Sequence, residues 1–246
     1  MQKHIYLEKT DSTNLALGRM LDESPELEEW TTLVAGYQQA GRGQAGTSWI
    51  SDKDQNLLCS ILLRPVFLPP SNQFTLNKAI AIGICETLQF FFREGDFSIK
   101  WPNDIYARYE KIAGTLIENR ILGNTFEICV AGIGINLNQL TFPEEIPNPT
   151  SLKKISGLHY NPAACIPVLT EKIRTLYEMI RRGQNREIDA LYLDKLLGFN
   201  EVMKFEVSGK ALVGKITGVD EHGKLILSDR QGRIASFGMK EITFMF

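Results

Sequence analysis

The chain has 246 residues, 43% of them hydrophobic, and a formal net charge of −2. That length allows one sizeable core and a small second domain, while the charge balance supplies no field for holding nucleic acid or an anionic membrane. No apolar run approaches the ~18 residues of a membrane span, and Met1-Gln2-Lys3-His4-Ile5-Tyr6 has no signal-peptide core, so a cytoplasmic protein with no membrane partner is expected.

Residues 3–9 alternate like a short strand. Asp11-Ser12-Thr13-Asn14 then offers N-cap side chains ahead of Leu15, Leu17, Met20 and Leu21, which predicts a helix capped by Ser12. Residues 32–38 read as a strand entering a glycine loop, and 56–64 as a nearly continuous apolar strand stopped by Pro65. Residues 74–92 place Leu76, Ile80, Ile84 and Leu88 at helical spacing and are apolar on most sides, so a buried helix is expected.

In Phe97-Ser98-Ile99-Lys100-Trp101, period-two alternation puts Phe97, Ile99 and Trp101 on one face and Ser98 and Lys100 on the other. Pro102 denies the next ladder hydrogen bond, and Asn103-Asp104 supplies turn chemistry. Lys100 is thereby a cation fixed at a strand end. Two more strands follow over 112–118 and 126–136, joined by Gly123-Asn124 as a hairpin turn.

After a stretch holding Pro143, Pro147 and Pro149, helices are predicted over about 162–182 and 187–197. The character changes at Gly198-Phe199-Asn200, and residues 203–246 show short β runs punctuated by turn residues. The expected fold is α+β: a mixed or antiparallel sheet with packed helices over residues 1–199, and a small β barrel over 200–246. Seven Lys/Arg against six Asp/Glu over 200–246 argue against a basic nucleic-acid module.

Cys59, Cys85, Cys129 and Cys165 are widely spaced and read as buried reduced thiols. His4, His159 and His222 fall in unrelated contexts, so no metal site is expected.

Gly41-Arg42-Gly43-Gln44-Ala45-Gly46 matches the dinucleotide pattern G-x-G-x-x-G, which requires a helix to open at the loop. Residues 47–54 have no helical apolar period, and no acidic residue follows at the required ~20-residue distance. The loop retains two other means of holding an anion, a nest of backbone N–H groups and the always-charged Arg42. A solvated surface loop is the competing reading. Three further features stand beside it: Ser12-Thr13-Asn14 at a helix head, Lys111-Ile112-Ala113-Gly114-Thr115-Leu116-Ile117-Glu118 as a strand with internal glycine, and Gly132-Ile133-Gly134-Ile135-Asn136, which repeats that device. Glycine inside a strand marks either a bulge or close approach by a ligand or another backbone.

Together these pieces resemble the biotin protein ligases, in that family's order: Ser12-Thr13-Asn14, Gln38-Gln39-Ala40-Gly41-Arg42-Gly43, Trp49, Lys100 to Asp104, Lys111 to Gly114, and Gly132 to Asn136. The resemblance implies a catalytic domain like that of class II aminoacyl-tRNA synthetases and an SH3-like C-terminal barrel. It implies ATP, Mg²⁺ and biotin as substrates and ion, and a biotin carboxyl carrier protein, such as the acetyl-CoA carboxylase subunit, as acceptor. Biotin and ATP would first form biotinyl-5′-AMP, and a carrier lysine would then take the biotinyl group.

By the same resemblance, Lys100 stabilises charge on the α-phosphate and acyl oxygen, Arg42 orders the loop over the adenylate, and Lys111 assists at the polyphosphate. Ser12, Thr13, Asn14 and Gln38, with Gly114, Thr115 and Leu116, are assigned to biotin. Gly41, Gly43, Gln44, Trp49, Asn103 and Asn136 join the three cations at the adenylate. Trp49 offers a face for adenine, with a core tryptophan as the alternative. Asp104 is the assigned base for the acceptor lysine, with turn capping as its alternative.

Gln44 stands where many family members carry arginine, which implies weaker retention of the adenylate. The first strand begins within a few residues of Met1, so an N-terminal DNA-binding module, and with it nucleic acid as a partner, is not expected. The family includes monomers and homodimers, and both stay open. A ligase for another acyl group such as lipoate, and a non-catalytic biotin sensor, are the competing functions.

Overall fold

The protein was analysed as a computed structural model that describes residues 3–246. In chain order, the first half contains β1 (His4–Leu7), α1 (Thr13–Glu23), β2 (Thr32–Ala35), β3 (Leu57–Leu63), α2 (Gln73–Phe91), β4 (Phe97–Lys100), β5 (Asp104–Ala107), β6 (Glu110–Leu122) and β7 (Thr125–Ile135). The second half contains α3 (Leu152–Ser156), α4 (Pro162–Arg181), α5 (Asn185–Asp194), β8 (Val202–Val207), β9 (Lys210–Val219), β10 (Leu225–Asp229), β11 (Ile234–Phe237) and β12 (Thr243–Met245).

β1 to β7 form one sheet in the order β1-β2-β3-β7-β6-β5-β4, parallel between β1 and β2 and antiparallel elsewhere. β3 lies inside it and is buried on both faces, which is why its sequence is apolar throughout rather than alternating. Leu57, Cys59, Ile61 and Leu63 face a cluster that includes α2 and α4, while Leu62 joins Ala16, Leu17 and Leu21 of α1 on the opposite face. Three layers result, with α1 alone on one side of the sheet. α2 is buried nearly all round. Its one inward charge, Lys78, is offset by Asp189 of α5 at 2.7 Å.

β8 to β12 form a second, antiparallel sheet in the order β11-β10-β9-β8-β12. Its Phe205, Ile216, Leu225, Leu227, Ile242 and Phe244 belong to the same apolar cluster as α2 and the large sheet. Trp101 Nε1 crosses between the two sheets and donates to the Gly223 carbonyl at 2.8 Å. Among the described residues, no helix is long and apolar enough to cross a membrane.

Two short elements went unread. β5 is four residues long, Asp104-Ile105-Tyr106-Ala107 with its last three residues buried, and follows the Lys100 turn directly, so it is too brief to show a period. α3 is also short, but its sequence carries signals at both ends: Ser151 accepts from the Lys154 N–H, and Gly157 closes the helix at φ +76°. The four cysteines are free and buried, and desolvation pushes the Cys59, Cys85 and Cys165 thiols up to about 12.

Candidate active site

A cavity of about 350 Å³ opens among the head of α1, the glycine loop, the β4–β5 turn, the middle of β6 and β7, and β12. Of the residues singled out by sequence, Ser12, Thr13, Asn14, Gln38, Arg42, Gly43, Gln44, Trp49, Lys100, Asn103, Asp104, Lys111, Gly114, Thr115 and Leu116 line it. Gly41 and Asn136 are not among its lining residues.

The head of α1 is tied down by side chains from three strands or loops. Ser12 occupies the N-cap position, but its side chain makes no capping hydrogen bond. This corrects the expected Ser12 cap. The Thr13 N–H goes instead to Gln38 Oε1 at 2.7 Å, and the Thr13 hydroxyl meets the same oxygen at 3.1 Å. Ser12 is buried at the cavity wall with its hydroxyl spared from capping. Asn14 Nδ2 donates to the Leu116 carbonyl at 3.1 Å and to Glu118 Oε2 at 2.8 Å. Beneath them Ser60 Oγ lies 2.7 Å from Thr13 Oγ1 and 2.6 Å from Asn14 Oδ1. The polar cluster is therefore largely paired internally, as buried polar groups must be.

The glycine loop closes on itself as a narrow ribbon. Trp49 N–H donates to the Gly41 carbonyl at 2.9 Å, and Gly43 N–H to the Thr47 carbonyl at 2.7 Å. Residues 44–46 form only a single 3-10 turn, ending at Gly46 with φ +85°. The helix a dinucleotide loop would require is not there. Arg42 reaches across to Glu118 Oε1 at 3.0 Å, so one carboxylate joins the loop to Asn14.

The strand glycines have a physical reason. Gly114 and Gly134 are register partners on β6 and β7. A Cβ on Gly134 would lie 2.5 Å from Trp49 Cε2, and one on Gly132 would lie 2.3 Å from Asn14 Oδ1. What approaches these two glycines is thus a side chain of the protein, not a backbone or a bulge. Trp49 Nε1 and Gln44 Oε1 are buried without a hydrogen-bond partner among the described residues.

Three cations converge on the cavity in different states. Lys111 Nζ is paired with Asp104 Oδ1 at 2.7 Å and stands 5.8 Å from the Trp49 ring centre. Arg42 is held by Glu118. Lys100 is half-buried and, among the described residues, makes no ion pair. Its ammonium stands 5.5 Å from the ring centres of both Tyr106 and Phe244. Burial lowers its pKa below the ordinary 10.5, Asp104 opposes that shift, and Lys111 adds to it. The turn beyond it is fixed: Trp101–Pro102 is cis, Asn103 Nδ2 donates to the Thr115 carbonyl at 2.5 Å, and Tyr192 Oη donates to the Pro102 carbonyl at 3.1 Å.

Sequence reading missed Ser60, Glu118 and the C-terminal wall of Met239, Ile242, Thr243 and Phe244. Ser60 is the lone hydroxyl in Leu57-Leu58-Cys59-Ser60-Ile61-Leu62-Leu63, a signal visible in retrospect. Glu118 ends a quoted motif but had no assigned role. Ile242 and Phe244 enter from the far C-terminus, and no local pattern announces that. Asn136 does not line the cavity: its Nδ2 donates to the Thr150 carbonyl at 3.0 Å and its N–H to the Ile112 carbonyl at 2.8 Å, while its Oδ1 is buried without a partner among the described residues.

Fold and cavity together define an α+β protein whose site gathers cations around a space of small-molecule size. Residues 6–136, more than half of the chain, match the model of the biotin/lipoate A/B protein ligase family, and the chain belongs to that family. Over 210 residues it is 31% identical to the bifunctional ligase/repressor BirA of Bacillus subtilis, covering 83% of this chain and 63% of that protein. The chain therefore spans just under two thirds of that relative's length. It is 27% identical over 224 residues to the biotin--[acetyl-CoA-carboxylase] ligase of Mycobacterium tuberculosis, covering 89% of this chain and 80% of that one. The biotin protein ligase of Aquifex aeolicus, solved in complex with biotin and ATP, matches with a TM-score of 0.81 and 28% identity over 100% of this chain and 99% of that chain.

Proposed function

We propose that the protein is an ATP-dependent biotin protein ligase acting on the biotin carboxyl carrier of acetyl-CoA carboxylase. The observation that carries the reading is Lys100, a partly desolvated ammonium without a counter-ion among the described residues, on the wall of a cavity lined at one end by paired amides and hydroxyls. Joining biotin to ATP brings an anionic carboxylate against an anionic triphosphate, and a cation left unneutralised by its own protein is suited to that approach. Family membership and the relatives' activities support the same assignment.

In the first step a biotin carboxylate oxygen attacks the α-phosphorus, the bond to the β-phosphate oxygen breaks, and pyrophosphate leaves. In the second, a carrier lysine amine attacks the acyl carbon, AMP leaves, and the amine gives up a proton. Lys100 holds the charge that develops on the α-phosphate and the acyl oxygen. Arg42 exchanges Glu118 for the adenylate phosphate, and Lys111 serves the polyphosphate. Asp104 is assigned the acceptor's proton. Ser12, Thr13, Asn14 and Gln38, with the 114–116 backbone, are assigned to the biotin end, and Gly43, Gln44, Trp49 and Asn103 to the adenylate end. Gly41 shapes the loop, and Asn136, whose Nδ2 is taken by the Thr150 carbonyl, keeps an Oδ1 unpartnered among the described residues for the adenylate end.

Mg²⁺ would supply charge neutralisation at the phosphates. Among the described residues no group of three His, Cys, Asp or Glu side chains is placed to hold an ion, and the one carboxylate lining the cavity, Asp104, is ion-paired. Magnesium fits as an ion carried by ATP with its own waters rather than as a resident one. Need for ATP, with free buried thiols, fits a cytoplasmic setting.

The test of the substrate is biotin-dependent ATP–pyrophosphate exchange. Exchange that needs biotin and ignores lipoate supports the assignment. Exchange driven by lipoate, or none despite tight biotin binding, points to a different acyl ligase or to a sensor.

A further inference from the structure

Among the described residues Lys100 has no ion-pair partner, which raises the question of what holds an ammonium in place there. Asp104 lies opposite it in the β4–β5 register, yet Asp104 Oδ1 is taken by Lys111 at 2.7 Å. What faces the ammonium instead is two aromatic rings, Tyr106 from β5 and Phe244 from β12, each with its centre 5.5 Å away. Both rings sit in an aromatic cluster. Phe244 packs edge-on against the fully buried Phe205 at 5.1 Å, and Phe246 stands 5.8 Å from Phe244 and 5.9 Å from Tyr106, bracing both.

We propose that Phe244, together with Tyr106, is a positioning residue for Lys100: the two ring faces hold the ammonium at the cavity without cancelling its charge, so that the C-terminal sheet completes the adenylation site. The proposal rests on the ligase reading above. A carboxylate in the same place would fix the lysine equally well, but it would present a substrate phosphate with a neutral pair. An aromatic face stabilises a cation through its quadrupole and leaves the full positive charge to act on the ligand. The charged or titratable groups around Lys100 are Asp104 and Tyr106 on β5 and Lys111 on β6. β12, Thr243-Phe244-Met245, contributes none.

The experiment compares biotin-dependent ATP–pyrophosphate exchange across pH for the full-length protein, Phe244→Leu and Phe244→Tyr, with thermal unfolding alongside. Leucine keeps the lysine dry but removes the ring face. Phe244→Leu should lower kcat about tenfold, the size expected for one partly desolvated cation–π contact, and move the alkaline limb to lower pH. Phe244→Tyr should restore both, and the unfolding midpoints should stay within a few degrees. Wild-type kcat with an unmoved alkaline limb in Phe244→Leu overturns the proposal, as does equal impairment of the leucine and tyrosine variants. If Phe244→Leu does not fold, Tyr106→Leu against Tyr106→Phe asks the same question of the other ring, with the same expected contrast. A wild-type protein that exchanges no pyrophosphate overturns the ligase reading itself, a separate outcome.

Discussion

At Lys100 one ammonium is kept partly dry and, among the described residues, without an ion pair, and the consequence is testable without a ligand structure. Removing a preorganised donor of this kind typically costs ~3 kcal/mol or more in the transition state. Lys100→Ala should therefore fold normally yet lose at least about a hundredfold in pyrophosphate exchange. The pH dependence has a definite sign. The working form is protonated, and burial lowers the pKa from 10.5, so kcat should fall as pH rises through a value below 10.5. In Lys100→Arg, whose charge persists, that alkaline limb should vanish from whatever activity is left. Ser60 makes a complementary case. Ser60→Ala strips a donor from the buried Asn14 Oδ1, and leaving such a group unpaired costs about 1–3 kcal/mol, readable by urea denaturation, with a raised KM for biotin and little change in kcat. Gln44 puts a neutral amide beside Arg42 at the cavity wall, where the resemblance leads one to expect a second cation. A Gln44→Arg variant should hold the bound adenylate longer in a chase experiment, and equal half-lives would remove Gln44 from that role.

Elements differ in how plainly the sequence announces them. α2 was legible because Leu76, Ile80, Ile84 and Leu88 recur at helical spacing within nineteen residues that are apolar on most sides, closed by a change to Arg93-Glu94-Gly95. The β6–β7 hairpin was legible because Gly123 supplies the positive φ of +61° its turn needs. The strand glycines suggest a bulge or close approach by a ligand or another backbone, whereas at Gly132 and Gly134 the approaching groups are the Asn14 and Trp49 side chains, from distant segments that no local pattern connects. Ser12 shows the opposite failure: a residue with the right chemistry and position for capping is relieved of it by Gln38. The packing argues for separable effects. Gly132→Ala presses on Asn14 and should raise KM for biotin, whereas Gly134→Ala presses on Trp49 and should raise KM for ATP. Each adds the ~1–3 kcal/mol typical of overpacking to the cost of folding, measurable as a lower denaturation midpoint.

Across the whole molecule, the cavity belongs to both sheets. Most of the chemistry-bearing residues were readable because they sit in short motifs within residues 12–116. The wall made by Met239, Ile242, Thr243 and Phe244 was not, because a short β run in sequence says nothing about which cavity it will border. The junction is specific. Trp101, next to Lys100, donates to Gly223, and a Cβ on Gly223 would meet the Phe74 ring at 2.5 Å. Trp101→Phe should lose about 1 kcal/mol of stability from that hydrogen bond. Whether this cavity makes a biotinyl-adenylate and passes its acyl group to a carrier lysine is decided by mass spectrometry of a biotin carrier domain incubated with the protein, biotin and MgATP. The account predicts a mass gain of one biotinyl group at a single lysine, absent with Lys100→Ala. No mass gain with the wild-type protein would contradict it.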